Sequence, residues 1–497
     1  MRIQQTILAG LLFLATIGYA QKNVFLDRAY WKGNPSIEDI DLKIAEGNNI
    51  TALNGAAFDA VTWALIEKAD NKTVKYLLSK KGNGVNKLTH DGRTYIFWAA
   101  YRDNLEMMKY LVDKGAKTDI VDSHGYSVLN FAATTGQLNT KLYDFCIEHG
   151  ADPKTEKNHS GANALLLVAP FIKDMSLIKY FTSKGIDVNS TDNDGNGIFN
   201  YAAKTGNIEL MNFLVKQGLS YKKPNKKGGN AMIFASRGTR NKKNTLETYQ
   251  YLEKLGIAPN VVTNDGITPL HSIAYRGKDM GIYKYFLSKG VDVNQADSNG
   301  NTPFLNSTLM NDVKIISMLS KHVKNINTQN KDGKTALTNA IQRNSPEVVS
   351  FLIEKGADVH VTDKKGNNLG YYLVRSYSPR KVDDFKQKVA LVSKKGFDIT
   401  KNQKDGNSLF HIALESDNLD LLKWVHKIGV NVNIKNKDGL TPLHQAAMTA
   451  KDDTILKYLL SIGANKGIKT DFDESVYALA AENELLQKNN IDIQFLK

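Results

Sequence analysis

Asp438-Gly439-Leu440-Thr441-Pro442-Leu443-His444-Gln445-Ala446-Ala447 carries, in one short run, the signals of a tight turn followed at once by a helix. Asp-Gly suits a tight turn, because positive φ costs Gly nothing and Asp little. The Thr441 hydroxyl is placed to accept a backbone N–H at a helix start, and Pro fits the first helical position. Ala446 and Ala447 are small enough to let two helices approach closely. Downstream, Ile455, Tyr458 and Leu459 recur at helical spacing. Gly463 then stands where a left-handed residue closes a helix. The stretch therefore predicts a turn, a first helix, a second helix and a closing glycine.

The same unit recurs along the chain. Its turn glycine returns at Gly92, Gly125, Gly161, Gly195, Gly228, Gly266, Gly300, Gly333, Gly366, Gly406 and Gly439. Successive intervals are 33, 36, 34, 33, 38, 34, 33, 33, 40 and 33 residues, a register that chance does not hold. Closing glycines recur too, among them Gly115, Gly150, Gly185, Gly218, Gly290, Gly356 and Gly429. Extended residues such as Val291-Asp292-Val293-Asn294 lead from each closing glycine to the next turn. Only 10 prolines occur in 497 residues, and no Pro-rich or Gly/Ser-rich linker divides the chain, which fits a repeat array rather than separate domains.

Thr268-Pro269-Leu270-His271-Ser272-Ile273-Ala274 and Thr441-Pro442-Leu443-His444-Gln445-Ala446-Ala447 resemble the TPLHxxA signature of the ankyrin repeat. The resemblance spans nearly all of the chain. It implies an all-α ankyrin-repeat solenoid of stacked helix-turn-helix units with β-hairpin-like turns. About twelve full repeats fall between residues 54 and 467. An atypical capping repeat is expected at 21–53, with helical stretches around Phe25–Tyr30 and Ile37–Ala45, and a C-terminal capping repeat at 468–497 that begins near Ser475–Ala481. Terminal repeats have one face without a neighbour and must differ from the rest. The family uses the histidine of TPLH to tie a turn to its neighbour, so His271 and His444 take a structural role. The opening Phe25-Leu26-Asp27-Arg28 is similar to the start of exported bacterial ankyrin proteins.

The first twenty residues read differently. Arg2 is followed by an apolar run from Ile7 to Ile17, then by Gly18 and Ala20 before Gln21. That order predicts a secretory signal peptide, residues 1–20, cleaved after Ala20. A buried N-terminal helix is the competing reading, and the run is too short for a transmembrane helix. The protein is therefore expected to be exported, periplasmic or secreted. The single cysteine, Cys146, allows no intramolecular disulfide and sits on an apolar helix face with Leu142 and Phe145, as a buried, inert thiol would.

Departures from the pattern are few. The two longest intervals hold insertions, Arg237–Asn244 and Ser376–Asp384, both expected as surface loops between the two helices of a unit. One closing glycine is missing, at His322 in Lys321-His322-Val323-Lys324-Asn325, where a nearby Asn is expected to take the left-handed conformation instead.

Catalytic and metal motifs are missing: there is no HExxH, CxxC, EF-hand loop, GxSxG or phosphate-cradling loop. No cofactor or metal is expected, and no enzyme. Aromatic residues such as Phe97, Trp98, Phe131, Phe199, Tyr201, Phe234, Tyr371, Tyr372 and Phe410 read as core. Formal net charge is +14, largely from Lys, with basic runs at Lys222-Lys223, Lys226-Lys227, Arg237–Lys243 and Lys394-Lys395. Excess positive charge favours acidic partners, while export and the lack of a nucleic-acid fold motif argue against nucleic acid. The resemblance implies a non-enzymatic scaffold that binds a protein partner through its concave turn and first-helix surface, with the chain a monomer. Candidate contact residues each follow a turn glycine: Arg93, Tyr126, Asn196, Ile267, Lys334, Asn407 and Leu440. The alternative is adhesion to an envelope or surface through a basic face that binds acidic polymers or proteins.

Overall fold

A computed structural model describes residues 23–239 and 242–497. The expected signal peptide lies outside the described residues. Among these residues the secondary structure is helical, with no strand. The helices follow one another in pairs, first helix then second, as in Pro303–Met310 with Val313–Ser320 and Ala336–Arg343 with Pro346–Glu354. No described helix is long and apolar enough to cross a membrane.

The chain divides into two compact units. One runs through Ala202 and includes Asn207–Tyr221; the other comprises Ala203–Gly206 and Lys222–Lys497. Within the first unit, the helices Ala60–Ile66, Tyr95–Tyr101, Val128–Thr134 and Ala164–Val168 stack side by side. Within the second, first helices stack in the same way from Ala231–Arg237 to Val476–Glu482. Stacking is close because these helices carry small or flat faces: Ala99, Ala132, Ala274, Ala340 and Ala413 are buried to the last square ångström. No unit could bury such a face alone; each is covered only by its neighbours.

Local signals set the helix ends. Thr441 Oγ1 accepts from the backbone at His444, and Thr302 and Ser127 cap their helices in the same way. The turn differs from the sequence expectation in one respect. Only Asp91, of the residues that precede a turn glycine, takes a positive φ. Elsewhere the glycine alone does so, and the turn is organised by the residue three places earlier. Asn436 shows how: the Gly439 N–H donates to its carbonyl at 3.1 Å, and its N–H donates to Leu440 O at 2.9 Å. Its Oδ1 accepts from the N–H groups of Asp438 and Leu440, both at 3.0 Å. This is a type I turn with Asx at its start and a left-handed glycine at its end, not the two-residue hairpin that Asp-Gly suggests.

The gap in the glycine pattern also resolves differently. No residue from Lys321 to Asn325 takes a positive φ. Instead Asn294 of the preceding unit reaches across. Its Nδ2 donates to His322 O at 2.9 Å and its Oδ1 accepts from Lys324 N–H at 3.0 Å. The free ends of the helix are satisfied without a left-handed residue. Of the two insertions, Arg237–Asn244 lies between Ala231–Arg237 and Leu246–Lys254, with residues 240 and 241 outside the description. Ser376–Asp384 is only partly a loop, because Val382, Asp383 and Asp384 open a second helix, Val382–Lys394, that has 13 residues against 9 in Pro346–Glu354.

The terminal segments are helical as well. A short 3-10 turn at Val24–Leu26 precedes Arg28–Lys32 and Ile37–Ala45, and Trp31 Nε1 donates to Phe25 O at 2.9 Å. At the other end, Val476–Glu482 is capped by Ser475 and followed by Glu484–Lys488. Of the aromatic residues expected in the core, Phe97, Trp98, Phe131, Phe199, Tyr201, Phe234, Tyr372 and Phe410 are buried and Tyr371 is half-buried.

Candidate binding surface

Within each compact unit, successive turns are joined by backbone bonds. The N–H of Lys331 donates to Asn299 O, that of Lys364 to Asp332 O, that of Lys404 to Gly366 O and that of Lys437 to Asp405 O, at 2.8, 2.8, 3.1 and 2.9 Å. The backbone at the turns is therefore fixed in register while these four lysine side chains are exposed. In the first unit Ser123 and His159 hold the same position, bonded to Asp91 O and His124 O.

The seven residues that follow turn glycines lie deeper. Arg93 and Asn196 are buried. The Arg93 guanidinium bonds Asp122 with Nη2 at 2.6 Å, reaches Asp91 at 3.1 Å and lies 4.3 Å from the centre of the Phe131 ring. Asn196 Nδ2 donates to both carboxylate oxygens of Asp192. These two side chains serve the turn itself. Tyr126, Ile267, Lys334, Asn407 and Leu440 are half-buried. Asn407 is engaged on both sides, by Asp405 and by Asn436 Nδ2 at 2.8 Å each. The physical reason is the turn type. The residue after the glycine pairs back to the first turn residue, which draws it inward, while the residues just before the glycine form the tip.

Histidine ties turn to turn. In His271, Nδ1 accepts from Thr268 N–H at 3.0 Å and Nε2 lies 3.1 Å from Asn301 O of the next turn. His411 repeats this arrangement with Ser408 and with Leu440 O at 3.0 Å, although its unit lacks the Thr-Pro pair that flags the motif in sequence. His444 Nδ1 accepts from Thr441 N–H at 3.1 Å. Burial holds all three imidazoles below the usual histidine pKa, in the neutral form that can accept at Nδ1.

Other titratable groups with displaced pKa values are structural. Burial pushes the Cys146 thiol up to about 12, so it is a poor nucleophile. The Lys388 amine, buried against the preceding unit, donates to Ile341 O at 2.9 Å and is pushed down to about 8 by desolvation. Sequence reading missed it, since nothing local marks a lysine as facing inward. Among the described residues no group of His, Cys, Asp or Glu is arranged to hold a metal ion.

Comparison with known proteins agrees with this architecture. A family model described as "Ankyrin repeats (3 copies)" matches residues 62–157, 240–330, 270–363 and 384–470, and one described as "Ankyrin repeats (many copies)" matches 173–215. A putative ankyrin repeat protein of fowlpox virus is 29% identical over 32% of this chain and 48% of its own length. The nuclear factor NF-kappa-B p105 subunit of Gallus gallus is 24% identical over 36% of this chain and 19% of its own. An IkB-like protein of African swine fever virus is 36% identical over 14% of this chain and 30% of its own. The chain thus spans about half, or less, of these relatives. They are viral and eukaryotic, and the likeness of the Phe25-Leu26-Asp27-Arg28 opening to exported bacterial proteins finds no support among them. With family-model matches over more than half its length, the chain belongs to the ankyrin repeat family.

Proposed function

We propose that this protein is a non-enzymatic scaffold that binds another protein through its turn tips and the exposed parts of its first helices, and that it does so after export. One observation carries the reading: backbone bonds hold successive turns in register while Lys331, Lys364, Lys404 and Lys437 project from them. A surface already fixed loses little conformational entropy on binding, so contacts made there count fully toward affinity. Membership of the ankyrin family supports a protein partner, and two relatives carry IkB-like and NF-kappa-B names. Export rests on the sequence of residues 1–20 alone.

Changing Lys331, Lys364, Lys404 and Lys437 together to Glu tests the reading. Protein captured by the native chain from the periplasm or medium should be lost by this variant while its melting profile is kept. Capture unchanged by the reversal would count against the tips as the contact surface. Export is tested separately, by sequencing the N-terminus of the mature protein, which should begin at Gln21.

A further inference from the structure

We propose that the C-terminal ends of the first helices in the second unit form a docking strip for an acidic protein segment that also carries apolar side chains. This rests on the scaffold reading above and narrows it to one row of residues and one partner chemistry.

Arg237, Arg276, Met310 and Arg343 are each the last residue of a first helix, and all are exposed. Their helices are neighbours in the stack, so the helix ends form a row. Cross-ties hold that row in place. Arg276 Nη2 lies 3.3 Å from Met310 Sδ, Asn311 Nδ2 donates to Gly277 O at 2.9 Å, and Asn344 Nδ2 donates to Asn311 O at 2.8 Å.

The two insertions fall at this same edge. Both begin where a first helix ends, and both bring cations: exposed Lys242 and Lys243 on one side of the row, exposed Arg380 and Lys381 on the other. Loop drift accounts for extra length but not for the repeated place. In the second insertion Lys381 lies 3.8 Å from Asp384, while Arg380 pairs with no carboxylate among the described residues. The helix macrodipole also falls short as an explanation, although it favours cations at helix ends. Pro442–Thr449 and Val476–Glu482 have no basic residue in their last turn, and the inserted cations lie outside the helices altogether.

Charge and composition together indicate the partner. Among the described residues no carboxylate pairs with Arg276 or Arg343. Between them Met310 is 40% exposed, and half-buried Tyr275 and Tyr371 flank the row. Arg, Met and Tyr are the types enriched where proteins meet, and a bare polyphosphate has no use for the thioether. The positive run then ends. Arg375 pairs with Glu415, and Glu415, Asp417 and Asp452 line the next hollow along the row, where the one cation, Lys451, is taken by Asp417 at 3.2 Å. A long polyanion would be repelled at that point, whereas a short acidic segment fits before it.

Fluorescence anisotropy on the full chain tests this with three probes: a labelled peptide rich in Glu with interspersed Leu, its Glu-only counterpart, and oligothymidylate. The Glu/Leu peptide should bind the native chain, and about tenfold or more weakly the double variant Arg276→Glu, Arg343→Glu. Met310→Ser should weaken the Glu/Leu peptide and leave the Glu-only peptide unmoved, and Lys284→Glu, on the exposed side of the second helix Met280–Ser288, should change neither. Circular dichroism melts establish that each variant is folded. Three results overturn the proposal: no peptide binding to the native chain, binding that survives the double reversal, or oligothymidylate that binds as tightly and loses the same factor. If strip reversal does nothing while tip reversal abolishes capture, this inference fails and the scaffold reading stands. If the chain captures no protein at all, the scaffold reading fails whatever the peptides do.

Discussion

Gly333 and Gly356 both take left-handed backbone, with φ of +80° and +88°, yet they stand in different surroundings. A Cβ on Gly333 would lie 2.6 Å from Lys364 N and 2.9 Å from Asp363 Cα, while one on Gly356 would meet nothing within 4 Å. The atoms crowding Gly333 belong to the backbone of the next turn, and Lys364 N–H is bonded to Asp332 O at 2.8 Å. That backbone cannot retreat without breaking the tie between turns. Alanine at Gly356 should therefore cost only the left-handed penalty, about 1–2 kcal/mol. Alanine at Gly333 should cost that penalty plus at least about 1 kcal/mol of crowding. Urea titration of the two variants measures the difference, and equal losses would show that the turns do not depend on close backbone approach. Both glycines were legible in the sequence, because a left-handed requirement recurs at a fixed interval. The inward placement of Arg93 and Asn196 was not, because it depends on Asp122 and Asp192 accepting from them.

Between elements, asparagine does much of the joining. Asn311 is 1% exposed, and its Nδ2 donates to Ala274 O, Gly277 O and Tyr283 Oη at 3.0, 2.9 and 2.9 Å. Asn483 makes the same kind of tie to Ala447 O and Ala450 O. Asn311→Leu would strand the buried Ala274 carbonyl, worth about 1–3 kcal/mol when left unpaired, while Gly277 O and Tyr283 Oη keep each other as partners at 3.0 Å. The expected loss is therefore about 1–3 kcal/mol by denaturant titration, centred on Pro269–Arg276 and Pro303–Met310. A loss below about 1 kcal/mol would mean that water replaces the amide. Such residues explain which elements could be read in advance. Caps and closing glycines act within their own helix, so local sequence shows them. Asn294, Asn327 and Asn433 act on the following unit, where they bond the backbone at His322, Gly356 and Gly463. A single pass along the chain takes them for ordinary loop residues. The extension of Val382–Lys394 was hidden for a related reason: Val382, Asp383 and Asp384 read as inserted loop until Phe385 is seen packed on Trp424, ring centres 4.7 Å apart.

Across the whole molecule, the two units are capped differently, and that difference should respond to pH. The second unit places His271, His411 and His444 three residues after a helix N-cap. The first unit has Phe97, Asn130 and Leu166 at the corresponding place after Thr94, Ser127 and Asn163. Burial lowers the folded-state pKa of all three histidines, so the unfolded chain takes up their protons first. Their contribution is whole above the unfolded histidine pKa of about 6.5 and is lost as pH falls below it. The loss has a structural cause. A protonated Nδ1 can no longer accept from the N-cap N–H, so the cap bond is lost, while Nε2–H of His271 and His411 still donates to the next turn. Hydrogen exchange corrected for intrinsic rate should show protection of Pro269–Arg276, Leu409–Leu414 and Pro442–Thr449 falling between pH 7.5 and pH 5. Tyr95–Tyr101 and Val128–Thr134 should lose less over the same range. Replacing all three histidines with Gln, which can still accept from the N-cap, should flatten the response of the second unit while the first is unchanged. An equal fall in both units, or a fall that survives the triple replacement, would move the acid sensitivity to the carboxylates and leave the histidines a purely geometric part.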